Sequence, residues 1–203
     1  MPQIFIMKNI IITLLMPAIV LSQEILIKQM SDNINTNHAE LNFVQKNDST
    51  AYFTVVKAIN DRIVSNIYTT TFSNGDWHKK QYSKHNSDTS NTGNIFFSNE
   101  GGVFLTRCNS EMLDCKIIYL EENKNTIPYN ITAVSSGSFF STQPFVSKHK
   151  SQKALYFVSD RKGGFGGLDI WLSIIDKNGN FGIPINAGSN INSINDEITP
   201  FYN

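Results

Sequence analysis

The stretch "SDRKGGFGGLDIW", residues 159–171, gathers groups that could do chemistry. It holds Ser159, Asp160, Arg161, Asp169 and Trp171 around Gly163, Gly164, Gly166 and Gly167. Glycine-rich loops offer backbone N–H groups to phosphate, and glycine–aspartate runs can hold calcium. Neither pattern is completed here. Gly164-x-Gly166-x-x reaches Asp169 where a dinucleotide fingerprint needs a third glycine, and no Gly-Lys-Ser/Thr follows to make a P-loop. Leu168 stands where a calcium nonapeptide carries its aspartate, Asp169 comes one place late, and a single copy builds no calcium stack. The remaining reading is a turn. The glycines supply backbone conformations closed to other residues, and Asp160 accepts hydrogen bonds from exposed turn N–H groups. Arg161 braces the loop by pairing with Asp160, with Asp169 or with a neighbouring repeat.

The other reactive side chains form no catalytic pattern. His38, His78, His85 and His149 are scattered through loops without an H-x-x-x-H pair, and are expected to face solvent. No G-x-S-x-G elbow presents a serine nucleophile. A glycosidase would need paired carboxylates at one centre. Asp196 and Glu197 are adjacent, so on a strand they would face opposite ways. "SIIDKNGNF" places Ser173, Asp176, Gly179 and Phe181 at the wrong spacing for an aspartate-box turn. Cys108 and Cys115 flank "NSEMLD". In an oxidising compartment they would pair, and two free thiols are the alternative. A zinc site is disfavoured, because the spacing is not C-x-x-C and no second pair completes four ligands. No catalytic residue, cofactor or metal is expected.

What positions these residues is a repeat. "AYFTVVKAINDRIVSNIYTTTFSNGDW" from Ala51, "VFLTRCNSEMLDCKIIYLEENKN" from Val103 and "LYFVSDRKGGFGGLDIWLSIIDKNGNF" from Leu155 line up. Tyr52, Phe104 and Tyr156 recur every 52 residues, and Tyr68, Tyr119 and Trp171 follow at 51 and 52. Each copy reads strand, loop, strand ending in an aromatic, turn, strand. Asn74-Gly75 and Asn178-Gly179 are hairpin signals, while "NKNTIPYN" replaces that turn in the second copy. One more short strand precedes each copy: "LNFVQ", "NIFFSN" and "QPFVSK". Four antiparallel strands per roughly 50 residues is the period of a β-propeller blade. No window carries helical periodicity, which excludes a helical solenoid. The fold expected is therefore all-β: a partial propeller of about three blades (38–84, 92–136 and 139–188). The start of a further blade is expected at 196–203, where Pro200 takes the place of Pro144. Such a chain is expected to be a truncated product or part of a longer protein, because three blades leave apolar faces uncovered. Tyr52, Phe53, Phe104, Tyr156, Phe157 and Trp171 are expected to pack between blades.

The third copy resembles a known family. "LYFVSDRKGGFGGLDIW" with "GIPINAGSNINSINDEITPFY" is similar to the WD-repeat-like, TolB-type propeller repeat of bacterial envelope proteins. The matching residues are Leu155 to Trp171, Gly182-x-Pro184-x-Asn186 and Asp196-Glu197-x-x-Pro200. OmpA-family proteins carry such a propeller ahead of a peptidoglycan-binding domain. The first two copies match only in strand pattern, and no OmpA-type C-terminal domain is present in this sequence. The resemblance implies a non-enzymatic scaffold near the outer membrane. Its partners would be envelope proteins or a peptidoglycan-associated complex, with a glycan as a further ligand class.

The N-terminus agrees with export. Met7 and Lys8 lead into apolar residues from Ile10 to Leu21, and Val20 and Ser22 precede a cut ahead of Gln23. This predicts a signal peptide over 1–22 and no membrane span once it is removed, since the apolar run is too short to cross a bilayer. The location expected is the periplasm, the outer membrane or the exterior. Lys plus Arg number 17, as do Asp plus Glu. The resulting net charge of zero gives no general attraction for nucleic acid. The alternative to a scaffold is a glycan-active propeller of the sialidase or glycosidase kind, or a carbohydrate-binding module.

Overall fold

A computed structural model describes residues 29–122 and 129–201. The expected signal peptide, residues 23–28, residues 123–128 of "NKNTIPYN", and residues 202–203 lie outside the described residues. The chain is all-β, built as three antiparallel sheets in sequence order. Sheet 1 contains β1 (Ala39–Asn47), β2 (Thr50–Ile59), β3 (Arg62–Ser73), β4 (Asp76–Trp77) and β5 (Gln81–Tyr82), with the last two both pairing β3. Sheet 2 contains β6 (Asn91–Phe97), β7 (Gly102–Cys108), β8 (Cys115–Glu121) and β9 (Tyr129–Asn130). A four-residue helix, α1 (Thr132–Ser135), leads to sheet 3. That sheet contains β10 (Thr142–His149), β11 (Gln152–Ser159), β12 (Asp169–Ile174) and β13 (Ile185–Asn186).

Local chemistry sets these hairpins. Between β2 and β3 both central residues, Asn60 and Asp61, have positive φ (48° and 62°). Asn74 and Gly75 do the same between β3 and β4 (54° and 81°). Such turns match the right-handed twist of paired strands, and asparagine, aspartate and glycine tolerate them best. The Asn178-Gly179 turn leads into a bridge between Ile175 and Phe181.

The core lies between the sheets. One cluster joins Tyr52 and Ile67 of sheet 1 to Ile95, Val103, Leu105 and Ile118 of sheet 2. A second joins Phe104, Ile117 and Val134 to Leu155, Phe157 and Trp171 of sheet 3. On the outer side of sheet 1, Ile34 covers Phe53 and Val55. Each large apolar side chain so buried contributes about 1.5–3 kcal/mol. Because both faces of the central strands are buried, they read as nearly continuous apolar runs rather than alternating ones. Of the aromatics expected between repeats, Tyr52, Phe104, Phe157 and Trp171 are there, whereas Phe53 packs on the outer side of sheet 1 and Tyr156 is half-buried beside His149. The assumed alignment also needs one correction. Tyr68 pairs Phe53 and Trp171 pairs Phe157, whereas the residue in that register in sheet 2 is Ile118, opposite Leu105. Tyr119 therefore falls one place out of the assumed alignment. A one-residue slip reverses the face, and Tyr119 packs on Phe104 toward sheet 3.

Three features recur in the sheets. The first strand of each carries a bulge, with register slips between Leu41 and Val44, Gly93 and Phe96, and Thr142 and Phe145. The residue opening each bulge has positive φ: Asn42 at 53°, Asn94 at 49° and Gln143 at 52°. Hydroxyls then tie each sheet to the next. Asn94 N–H donates to Thr54 Oγ1 at 2.9 Å, and Gln143 N–H donates to Thr106 Oγ1 at 3.1 Å. Thr54 and Thr106 occupy one register place, opposite Leu41 and Gly93. Next in register on the third strands are Ile67, Ile117 and Ile170. In each connection that follows, one side chain takes both backbone groups of that isoleucine. Asn86 does so at 2.8 and 2.7 Å, Ser135 at 3.0 and 3.4 Å, and Asn192 at 2.9 and 2.9 Å.

Candidate functional site

The glycine loop joins β11 to β12, and its two ends do different things. At the first end, Ser159, Asp160 and Arg161 hold the connection from sheet 2. Ser159 Oγ donates to Phe140 O at 2.6 Å, and Phe140 N–H donates to Asp160 Oδ1 at 2.6 Å. Arg161 lies over the rings of Phe139, Phe157 and Trp171, at 4.4, 4.7 and 5.4 Å from their centroids. Its Nη2 donates to Val134 O at 2.6 Å and to Ser141 Oγ at 3.1 Å. Of the three pairings expected for Arg161, the structure shows the one with the neighbouring repeat. Burial pushes its guanidinium down to about 10, against a smaller upward pull from the Asp160 charge. It stays protonated at neutral pH, and cation–π contact replaces part of the lost water.

At the second end the glycines make room. Only Gly163 uses a left-handed backbone (φ +94°), so the expectation that all four supply forbidden conformations is corrected. A Cβ on Gly166 would lie 2.2 Å from Asn195 O and 2.8 Å from Ser193 O. One on Gly164 would lie 1.7 Å from Asp169 Oδ2, and one on Gly167 would lie 2.6 Å from Asp196 Oδ1. Two of the loop's amides are engaged: Phe165 N–H donates to Asp169 Oδ2 at 2.7 Å, and Leu168 N–H donates to Asp196 Oδ1 at 2.8 Å. Carboxylates on those two N–H groups occupy the places where a phosphate oxygen would be received. Asp169 is 1% exposed, with Oδ1 and the nearby Trp171 Nε1 buried without a protein partner. Asp169 thus organises the turn from inside, beyond the bracing role expected for it.

The corresponding loop of sheet 2 is closed covalently. Cys108 and Cys115 form a disulfide across paired positions of β7 and β8. Inside it, Asn109 Oδ1 accepts from Leu113 N–H at 2.8 Å and Asp114 N–H at 3.2 Å. Both loops border a cavity of about 520 Å³ along the first strands of the three sheets. Leu41, Asn94, Thr142 and Gln143 line its wall, with Asp160 and Asp196 as acidic lining residues and no lysine or arginine among the described residues. Asp196 thus belongs with the glycine loop, a placement that sequence spacing of nearly thirty residues concealed.

The histidines divide. His38 and His78 are exposed and His149 is half-buried, but His85 is 5% exposed and departs from the expectation of solvent-facing histidines. It sits among Tyr52 and Phe97, at 5.8 and 6.0 Å between ring centroids. Burial lowers its pKa to about 4, helped by the Lys84 charge. Among the described residues, no cluster of three or more His, Cys, Asp or Glu side chains is placed to hold a metal ion. No described helix is long and apolar enough to cross a membrane.

The class defined so far is an all-β protein of three successive antiparallel sheets with a disulfide in the middle one. No family model matches the chain, and no curated protein matches it. Among solved structures it is similar to an endo-arabinase from Bacteroides thetaiotaomicron VPI-5482, with 14% identity and a TM-score of 0.47. The match covers 71% of this chain and 60% of that one, so the chain spans less than two thirds of that protein's length. A likeness at this level carries no argument about fold or activity.

Proposed function

We propose that the three sheets are blades of an open β-propeller, exported from the cell and acting as a non-enzymatic binding module of the bacterial envelope. The observation that carries this reading is the repeated joint between sheets: a left-handed residue on one first strand, its N–H taken by a threonine of the sheet before. Repeated joints of one geometry turn successive sheets about a common axis, and the cavity beside the first strands is where a propeller presents ligands. The disulfide supports an oxidising compartment. The SDR-glycine segment supports a TolB-type repeat, and with it envelope proteins or peptidoglycan-associated complexes as partners. Sedimentation of the purified chain with isolated sacculi and with outer-membrane vesicles tests this. Saturable co-sedimentation with either is expected, and its absence from both refutes the envelope role.

One observation favours a second reading. Asp160 and Asp196 both line the cavity, each with one oxygen held by a backbone N–H. Two carboxylates facing one cleft are what glycosidic hydrolysis requires. Release of reducing ends from plant or bacterial polysaccharides, abolished in both D160N and D196N, would establish that reading.

A further inference from the structure

We propose that the open backbone edge of residues 198–201 docks an antiparallel β-strand reading aromatic, then Phe or Leu, then Thr or Val, supplied by a further repeat unit of this same class. The inference rests on the open-propeller reading and names the partner chemistry that its last face fits.

Residues 187–201 repeat, step for step, the connections that end in β6 and β10. Ser83, Ile131 and Ala187 each donate their N–H to the carbonyl of Ile67, Ile117 and Ile170 respectively. Asn86, Ser135 and Asn192 then clamp the same three isoleucines. Next comes the left-handed residue: Asn94, Gln143 and now Thr199, with φ of 60°. β-Branched residues are rarely found there, so the conformation is imposed by the joint. Two places on, Phe201 sits 5.4 Å from Phe145 between centroids, as Phe145 sits 5.1 Å from Phe96. Residues 198–201 therefore occupy the first-strand position of a fourth sheet.

The joint has even been adapted to its own sequence. Val158 stands where Thr54 and Thr106 supplied a hydroxyl, and Thr199 N–H donates instead to Gln143 Oε1 at 2.5 Å. This bond leaves the outward edge of 198–201 as the unpaired side, with Ile198 and Phe201 55% and 76% exposed. An apolar edge of this kind is a template for strand addition.

Existing registers specify the occupant. Val44, Phe96 and Phe145 face Tyr52, Phe104 and Tyr156, while Leu41, Gly93 and Thr142 face Thr54, Thr106 and Val158. The three second strands thus read Tyr-Phe-Thr, Phe-Leu-Thr and Tyr-Phe-Val. Carried to the edge, the aromatic falls opposite Phe201 and the Thr or Val opposite Ile198. A second copy docking through β1 is excluded, since 198–201 already fills the place its β1 would take.

The test uses the chain labelled with nitrogen-15 and a capped peptide, TAYFTVVKA, the sequence of residues 50–58. Saturating peptide is expected to slow exchange of the Ile198 and Phe201 amides by about tenfold or more. The same peptide carrying Tyr52→Ser and Phe53→Ser should change it less than about twofold. Phe201→Ala in the chain, at an exposed position that folding does not require, should weaken peptide binding by about tenfold. No slowing at millimolar peptide, equal slowing by both peptides, or slowing that grows with chain concentration alone would each overturn the proposal. The last outcome would assign the edge to a second copy. Failure of the propeller reading is distinguishable, because a crystal structure would then show the three sheets without a shared axis whatever the peptide does.

Discussion

The loops after β7 and β11 occupy the same slot in successive sheets and are held by opposite means. Residues 109–114 are tied at their base by the Cys108–Cys115 bond and braced internally by Asn109, so that loop carries its own constraint. Residues 160–168 have no covalent tie, and are held from within only by Asp169 on the Phe165 amide and by Ser159 on Arg161. The rest of their shape is set by what presses on them, with Phe139 and Val134 on one side and the backbone of residues 193–195 on the other. A covalent tie is indifferent to its neighbours, whereas a loop built by close approach exists only while its neighbours are in place. The glycine loop is consequently the element that couples sheet 3 to the segment leading toward 198–201.

The sharpest way to break that comparison is Gly166→Ala. Its Cβ would lie 2.2 Å from a backbone carbonyl that has no rotamer to yield. A loss of about 3 kcal/mol in denaturant unfolding is expected, at the upper end for steric insertions into close-packed regions. Amide exchange should accelerate in residues 187–199 while residues 109–114 stay unchanged.

Acid should act at the other joint, between sheets 1 and 2. His85 is neutral when folded, with its pKa near 4 from burial first and the Lys84 charge second. The unfolded chain takes up this proton near pH 6.5, so stability should fall as pH drops from 6.5 and level off below 4. The loss amounts to about 3 kcal/mol at most. His85→Phe should remove this component from a pH series of urea titrations and leave the glycine loop untouched.

Reducing the disulfide sharpens the comparison from the covalent side. Opening so short a ring should cost about 2–3 kcal/mol. C108S/C115S should show that loss in thermal unfolding together with faster exchange confined to residues 109–114. The smallest effect is expected at the hydroxyl joint. Thr106→Val removes the acceptor for Gln143 N–H and costs about 1 kcal/mol, and Val158→Thr should gain nothing and cost a similar amount, because Gln143 Oε1 already serves Thr199 and the new hydroxyl is buried.

Much of the strand pattern could be read from the residues themselves. Tyr52, Phe104 and Tyr156 share one register place, each opposite the residue that follows the first-strand bulge. Tyr119 misled, because aromatic identity is no guide to register when both faces of a strand are buried. The candidate site was less legible. Four glycines in nine residues advertise an unusual loop, yet the carbonyls that require them belong to Ser193 and Asn195, far along the chain. The left-handed residues were hidden because they are Asn42, Asn94, Gln143 and Thr199 rather than glycine. Their only trace is positional, in the Pro144 and Pro200 that follow the last two. His85 gave no signal, since its burial comes from the ring stack with Tyr52 and Phe97 across two sheets.

The central claim is that the turn around Phe165 is packed rather than poised to bind. A high-resolution crystal structure of the chain grown with calcium and a nucleoside triphosphate tests it directly. The account expects Gly166 pressed against the carbonyls of residues 193 and 195, with the Phe165 and Leu168 amides still donating to Asp169 and Asp196. An ion or phosphate seated on those amides, with the two carboxylates displaced, would contradict it.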